Sequence, residues 1–237
     1  MDLHILFDKD SESSIFRAGW GVAFFLDGVL FDTGEDGPNL ISNLEKKGIT
    51  LSSIAAVVLS HRHWDHIGGL WHLLNIKKGL KVYGFSGFPG QFKDKVTGLG
   101  GKFIETEGFT RVKGEVYTTG PVEGLYKSEK IQEQALIARL KEGLVIAVGC
   151  AHPGIIKMVE KVKGLFPSEN IYLLIGGFHL MDKEKREIRL VAQTLRNLGV
   201  KNIGPAHCTG YEAGQILKEV FKERCIEVRA GKTITTF

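Results

Sequence analysis

The order of the predicted elements indicates an α/β protein in which two mixed β-sheets carry helices on their outer faces. Paired strands fill the first part of the chain, and strand–helix units fill the second part. Hydrophobic residues make up 43% and charged residues 24% of 237 positions, which is typical of a globular protein with a large core. No repeat, low-complexity stretch or linker divides the sequence, so a single domain over residues 1–237 is expected.

Alternating apolar runs and turns predict the first part of the chain. Asp27-Gly28 predicts a two-residue hairpin turn between two strands. Residues 38–48 are expected to form a helix, because Pro38 stands near its start and Gly48 at its end. The predicted strands of this part are residues 3–7, 21–26, 29–32 and 55–60, the last of which is wholly apolar and expected to be buried.

The rest of the chain predicts a glycine-rich middle followed by strand–helix units. Residues 84–120 are expected to form strands and loops. Lys141-Glu142-Gly143 predicts a hairpin, and the helix at residues 182–198 has Asp182 to cap it and Gly199 to end it. The other predicted helices are residues 153–166 and 211–224, and the predicted strands are residues 135–140, 144–149, 171–175, 201–205 and 226–237.

Charge and cysteine content exclude several classes of protein. The net charge of +4 indicates at most a mild preference for anionic ligands, and lysines on solvated helix faces explain it equally well. The acidic N-terminal segment does not resemble a secretory signal, and the most apolar window, residues 19–31, is too short to span a bilayer. The three cysteines, Cys150, Cys208 and Cys225, do not suggest a disulfide framework. We therefore predict a cytoplasmic protein with no membrane partner.

Six of the eight histidines stand just after predicted buried strands. Loops at the carboxyl ends of such strands form the crevice where α/β proteins bind ligands. A single histidine there is more often a core residue, as we expect for His4 and His72. Repeated placement on several strands favours a shared site instead. The six histidines are His61, His63, His66, His152, His179 and His207.

The segment His61-Arg62-His63-Trp64-Asp65-His66 carries the most specific pattern. Histidines two positions apart in a chain that leaves a strand can point to the same side and reach one cation. Asp65 and His66 follow on the turn, before Gly68-Gly69 opens a helix, and can reach a second cation. Imidazole and carboxylate suit Zn²⁺, and also iron or manganese.

The chain resembles the metallo-β-lactamase superfamily over nearly its whole length. The resemblance rests on the segments 31–34 (Phe-Asp-Thr-Gly), 61–66 and 205–207 (Pro-Ala-His). It implies an αββα sandwich with one or two divalent transition metal ions, with zinc favoured. It also implies that His207 binds the second metal together with Asp65 and His66. Asp32 matches the family's early aspartate, which lies beneath the metal site.

The middle of the chain departs from the family's pattern. In the family, the strand that corresponds to residues 144–149 is usually followed by an aspartate that bridges the metals. The resemblance therefore places Cys150 at the bridging position. No histidine between His72 and His152 can serve as the earlier ligand. We therefore expect His152 to complete the first metal's ligands with His61 and His63. Cys150 is expected to bridge the metals, to bind one of them, or to do neither.

Three further segments resemble a prokaryotic branch of the superfamily: residues 149–154 (GCAHPG), 175–180 (IGGFHL) and 206–210 (AHCTG). Members of this branch are usually labelled metal-dependent hydrolases. Some archaeal relatives are described as the synthase that joins a dihydropterin to ribofuranosylaminobenzene phosphate. The branch implies that His179 also faces the site, as a ligand or a substrate contact.

These features predict a metal-dependent hydrolase that uses a metal-bound hydroxide on a small phosphorylated or ester-type substrate. Asp65 is then expected to orient the hydroxide and His179 to transfer a proton to the leaving group. The alternative is the pterin condensation, which needs a pocket for two substrates that excludes water. A metal sensor without turnover is disfavoured by the complete histidine motif. A nuclease is disfavoured by the weak basic charge, so no nucleic-acid partner is expected.

Residues 85–130 are expected to cover a pocket for a small anionic or pterin-like molecule. Four phenylalanines there could stack on a flat ring or could simply belong to the core, and four basic residues could meet a phosphate or be solvated. The phenylalanines are Phe85, Phe88, Phe92 and Phe109, and the basic residues are Arg111, Lys113, Lys127 and Lys130. The sequence does not indicate an oligomeric state.

Overall fold

The computed structural model describes residues 2–235, and its strands form two large sheets and a separate hairpin. The first sheet has the order β15-β1-β2-β3-β4-β5-β6. Its strands are β1 (Asp2–Phe7), β2 (Ala23–Leu26), β3 (Val29–Phe31), β4 (Ala56–Val58), β5 (Lys81–Gly84), β6 (Lys102–Glu105) and β15 (Thr233–Thr235).

The second sheet has the order β14-β13-β12-β11-β8-β7, and the hairpin pairs β9 with β10. The strands of the second sheet are β7 (Thr110–Lys113), β8 (Val116–Thr118), β11 (Leu136–Leu140), β12 (Gly143–Val148), β13 (Ile171–Gly177) and β14 (Val200–Ala206). The hairpin is formed by β9 (Val122–Tyr126) and β10 (Glu129–Glu133).

Helices cover the outer face of each sheet, so the molecule has four layers. One apolar cluster fills the space between the sheets, a second lies under the helices that cover the first sheet, and a third lies under those of the second sheet. The helices are α1 (Gly37–Lys46), α2 (Trp64–Ile76), α3 (Gly90–Gly98), α4 (Ile155–Leu165), α5 (Lys185–Asn197) and α6 (Tyr211–Phe221). This arrangement confirms the predicted αββα sandwich of two mixed sheets.

Parallel pairing gathers the carboxyl ends of the central strands at one edge. In the first sheet β3 and β4 are parallel, with Phe31 opposite Val58. In the second sheet β12, β13 and β14 are parallel, so the residues that follow them leave the sheet side by side. The predicted site residues all stand at or near these strand ends, which places them along one edge of the sandwich.

Several predicted boundaries are wrong. Residues 84–120 include helix α3, whose Phe92 and Val96 are buried one turn apart. Helix α5 begins at Lys185 and is capped by Glu184 and Glu187, not by Asp182. The final strand covers Thr233–Thr235, and residues 236–237 lie outside the described residues.

Helix α2 begins before the glycine pair that was expected to open it. It starts at Trp64, so Asp65 and His66 lie on its first turn. A Cβ at Gly68 would lie 2.1 Å from the backbone oxygen of Glu35, and one at Gly69 would lie 2.3 Å from that of Thr33. The pair therefore lets the helix pack closely on the loop that follows β3.

Among residues 2–235, every helix is too short or too polar to cross a membrane.

Candidate metal centre

The HxHxDH segment turns from strand β4 into the first turn of helix α2. His61 is fully buried, and its Nε2 lies 3.0 Å from Nδ1 of His63. The rings of both histidines lie 4.8 Å from the ring of His152, measured between centroids. The three side chains proposed for a first metal are thus adjacent, although His63 is only half-buried and sits at the outer side.

Asp32 orients the buried side of the motif. Its Oδ1 accepts a hydrogen bond from the backbone N–H of Ser60 at 2.7 Å, and its Oδ2 accepts one from the Ser60 hydroxyl at 2.6 Å. The same Oδ2 lies 2.7 Å from Nδ1 of His66. Because that contact engages Nδ1, the Nε2 of His66 faces the centre, where it lies 3.2 Å from the sulfur of Cys150.

Asp65 and His207 face each other across the two sheets. The Nε2 of His207 lies 3.1 Å from Oδ2 of Asp65. The backbone N–H of Gly21 donates to Nδ1 of His207 at 3.1 Å, and the backbone N–H of His207 donates to Oδ1 of the buried Asp8 at 3.0 Å. These contacts hold the ring so that Nε2 points toward Asp65.

Glu133 positions His152, and sequence reasoning missed it. One Glu133 oxygen accepts backbone hydrogen bonds from Cys150 and Ala151, both at 2.8 Å. The other accepts from the backbone N–H of His152 at 3.0 Å and lies 3.0 Å from its Nδ1. The predicted hairpin held the signal, because Leu136 pairs with Ala147 and the residues before β11 must therefore lie beside those after β12.

Within residues 2–235, three groups of donor atoms could each hold a metal ion, and the donors within each group lie within 4.8 Å of one another. Cys150 belongs to all three groups. Imidazole, thiol and carboxylate donors together suit zinc or a similar transition metal better than calcium or magnesium. The groups are Asp65, His66, Cys150 and His207; His61, Cys150 and His152; and Cys150, His179 and Cys208.

Burial and charge set the protonation of these donors in the metal-free chain. Burial, together with the neighbouring His152, lowers the pKa of His63 to about 4, so its imidazole is neutral at pH 7. Burial alone would raise the pKa of Asp65, but the hydrogen bond with His207 and the charge of His66 lower it to about 2. Burial would lower the pKa of His66, but Asp32 raises it to about 9. A cation at Nε2 of His66 must therefore displace a proton.

Two cavities adjoin the β9–β10 hairpin beside this centre. The first, of about 580 Å³, is lined by Phe85 and by three cationic side chains, Arg62, Lys130 and Lys157. The second, of about 800 Å³, is lined by residues that include Tyr126, His152 and His179. The ring of Tyr126 contacts three site histidines, with centroid distances of 5.6 Å to His63, 4.6 Å to His152 and 5.2 Å to His179.

The aromatic residues expected in the pocket divide between cavity, core and surface. Phe85 lines the first cavity. Phe88 and Phe92 are buried in the cluster beneath the helices of the first sheet, and Phe109 stacks on Tyr117 at the surface. Of the four basic residues, Lys130 lines the first cavity and Lys127 the second. Arg111 and Lys113 instead make surface ion pairs, with Glu115 and Asp27 respectively.

Comparison with known proteins identifies relatives of the same architecture. A model described as the metallo-beta-lactamase superfamily matches residues 26–84. The chain is 31% identical to the 7,8-dihydropterin-6-methyl-4-(beta-D-ribofuranosyl)-aminobenzene-5'-phosphate synthase of Methanocaldococcus jannaschii, over 87% of this chain and 83% of that protein.

Two solved structures extend this similarity to the whole chain. One, described as a metal-dependent hydrolase of the beta-lactamase superfamily, is 28% identical with a TM-score of 0.85 and covers 100% of this chain and 99% of its own. The other, a metallo-beta-lactamase fold protein from Bacillus subtilis, is 17% identical with a TM-score of 0.72, and 99% of each chain is covered. The second likeness shows the fold alone.

The synthase relative overturns the prediction that this chain is a metal-dependent hydrolase. That prediction was drawn from the metal ligands, and the same ligands serve any reaction in which a cation stabilises developing negative charge. Ligand identity therefore does not distinguish attack by water from attack by a second substrate.

Proposed function

Because the chain belongs to the metallo-β-lactamase superfamily, in the branch that includes the archaeal synthase, we propose that it joins a dihydropterin to ribofuranosylaminobenzene phosphate. The observation that carries this proposal is the 31% identity to the Methanocaldococcus jannaschii synthase over 87% of the chain. It is an enzyme in this proposal, and it needs a divalent metal. The metal is zinc, with iron or manganese as alternatives.

The proposed reaction forms one bond and breaks one. The arylamine nitrogen of the ribofuranosylaminobenzene phosphate forms a bond to the methylene carbon of a dihydropterin methyl diphosphate. The carbon–oxygen bond to the diphosphate breaks, the diphosphate leaves with the bonding electrons, and the nitrogen loses a proton to solvent. When bound, the cations supply positive charge that stabilises the departing diphosphate.

We assign His61, His63 and His152 to one cation, and Asp65, His66 and His207 to the other. Two donor groups support this division, one with His61 and His152 and one with Asp65, His66 and His207. His63 lies outside the donor groups and is assigned because its ring lies 4.8 Å from that of His152. Cys150 stands between the two sets, since its sulfur belongs to a donor group with each. Asp65 enters this proposal as a ligand only, because the orientation of a hydroxide belonged to the hydrolase prediction.

The two cavities support a reaction with two substrates. Each has the volume of a typical small-molecule site. The second is lined by the proposed ligand His152, and the first by Arg62, which stands between His61 and His63 in the chain. Arg62, Lys130 and Lys157 give the first cavity a cationic lining that suits the ribose phosphate. The wall formed by Tyr126 in the second cavity suits the flat pterin ring.

The proposal is tested by direct synthesis. Zinc-loaded protein is mixed with a dihydropterin methyl diphosphate and ribofuranosylaminobenzene 5'-phosphate, and products are followed by mass spectrometry. We expect the condensed product only with metal, and at least a ~100-fold loss of rate in His207→Ala, since that variant removes a ligand of the second cation. His72→Asn is the matched control, because this histidine lies outside the donor groups, and it should retain the rate. Equal synthesis by chelator-treated protein, or no condensed product at all, would contradict the proposal.

A further inference from the structure

Cys208 lies beside the proposed ligands, although the reaction proposed above does not use it. It directly follows His207 and is buried, with 4% of its surface exposed. Its sulfur lies within 4.8 Å of both the sulfur of Cys150 and a ring nitrogen of His179. A Cβ at position 177 would lie 2.6 Å from this sulfur, so Gly177 leaves the space that the thiol occupies.

His179 reaches this cluster from the end of β13 with one ring nitrogen unsatisfied. Its Nδ1 is shut off from solvent and has no hydrogen-bond partner among residues 2–235. The backbone of His179 is held in the left-handed region, at φ 50°. A buried polar nitrogen without a partner is costly, and a cation bound at Nδ1 would remove that cost.

The three donors have the composition of a soft-metal site. Zinc bonds to sulfur at about 2.3 Å and to nitrogen at about 2.0 Å, so donors a few ångströms apart can share one ion after small side-chain shifts. All three cysteines of the chain are free.

We propose that Cys150, His179 and Cys208 form a further metal position that takes a thiophilic divalent cation of the zinc and cadmium class. This position lies beside the two proposed for the reaction and shares Cys150 with them. Each thiol that binds releases its proton to solvent, and no oxidation occurs. The position does not depend on the reaction: the chain could bind the cation here whether or not it makes the pterin product.

Cadmium binding measures the number of metal positions in the chain and reports which of them have sulfur ligands. The full chain is stripped with chelator, reloaded with ¹¹³Cd²⁺ and freed of excess metal. Bound cadmium is then measured by elemental analysis and by ¹¹³Cd NMR, in which thiolate ligation moves the resonance strongly downfield. We expect the unaltered chain to bind one equivalent more than Cys208→Ser and to show a downfield resonance that the variant lacks.

Two further variants keep the test decisive. His179→Gln should lose the same single equivalent of bound cadmium as Cys208→Ser. If Cys208→Ser does not fold, His179→Gln provides the test by itself. Cys225→Ser is the matched control, because Cys225 belongs to none of the three donor groups, and it should retain all the cadmium. Equal cadmium content and equal spectra in the unaltered chain and in the folded variants would overturn the proposal. So would a disulfide between Cys150 and Cys208 in freshly purified, unreduced protein.

Discussion

Glu133 carries much of the organisation of the metal centre, although it is not a proposed ligand. Its two oxygens accept backbone hydrogen bonds from Cys150, Ala151 and His152, and one of them also contacts Nδ1 of His152. Burial would raise its pKa, but the contact with His152 and these backbone donors lower it, so the side chain is an anion. A carboxylate on the outer nitrogen fixes a histidine ring and strengthens its other nitrogen as a ligand.

We predict that Glu133→Gln weakens metal binding. The amide keeps the size of the side chain but puts an N–H₂ group where an acceptor is needed, so His152 loses its fixed orientation. We expect zinc affinity to fall by ~10–100-fold, measured by competition with a chromophoric chelator. Glu169→Gln is the control, because Glu169 pairs only with Arg139 on the surface. Equal zinc affinity in the two variants would show that Glu133 has no part in the centre.

Single residues divide clearly into those that sequence can identify and those that it cannot. His61, His63, Asp65 and His66 lie in one short segment, so their spacing alone indicates that they act together. Cys208 directly follows His207, so its place beside the site is also visible in the sequence. Glu133 comes into the site only through strand pairing. A buried glutamate has no mark in the sequence that separates it from a solvated one.

The ends of strands β3, β4 and β12 meet with almost no free space. A Cβ at Gly149 would lie 2.1 Å from the hydroxyl oxygen of Ser60 and 3.0 Å from Oδ2 of Asp32. Those two atoms are hydrogen-bonded to each other, and Oδ2 also contacts His66. The position of the second sheet is therefore coupled directly to the orientation of a proposed ligand on the first sheet.

We predict that Gly149→Ala destabilises the protein and disturbs the metal centre together. The methyl group must push apart Ser60 and Asp32, and overpacking of this kind costs about 1–3 kcal/mol. Unfolding in urea measures the loss, and chelator competition measures the accompanying fall in zinc affinity. Gly164→Ala is the control: it lies in helix α4 with no atom within 4 Å of the added group, and it should gain up to about 1 kcal/mol. An alanine at position 149 that is as well tolerated as the one at 164 would contradict this account of the strand ends.

Elements with regular periodicity were predicted well, and those that depend on tertiary contacts were not. Apolar runs such as β12 and β13 are buried on both faces and stand out from their neighbours. Helix α3 was not predicted because it is short, begins and ends at a glycine, and buries only Phe92 and Val96. A final strand was predicted over residues 226–237, but among the described residues only Thr233–Thr235 pair with β1.

In the whole molecule, the sandwich brings the proposed ligands from both sheets and two cavities to one edge. The first sheet supplies Asp32 and the HxHxDH segment, and the second supplies Cys150, His152 and His207. The sequence could predict this convergence, since the strand ends carry the histidines. It could not predict the reaction, because the cavities are built by the β9–β10 hairpin and by side chains from separate elements.

The partition of a single turnover between synthesis and hydrolysis decides whether the chain is a synthase. Zinc-loaded protein in excess is mixed with both substrates in water enriched in ¹⁸O, and a single turnover is stopped and analysed by mass spectrometry. A synthase that holds the arylamine beside the methylene carbon predicts that the condensed product exceeds hydroxymethyl dihydropterin. Hydroxymethyl dihydropterin as the main product, with ¹⁸O in the alcohol or in the released phosphate and the second substrate left intact, would contradict the proposed synthase activity.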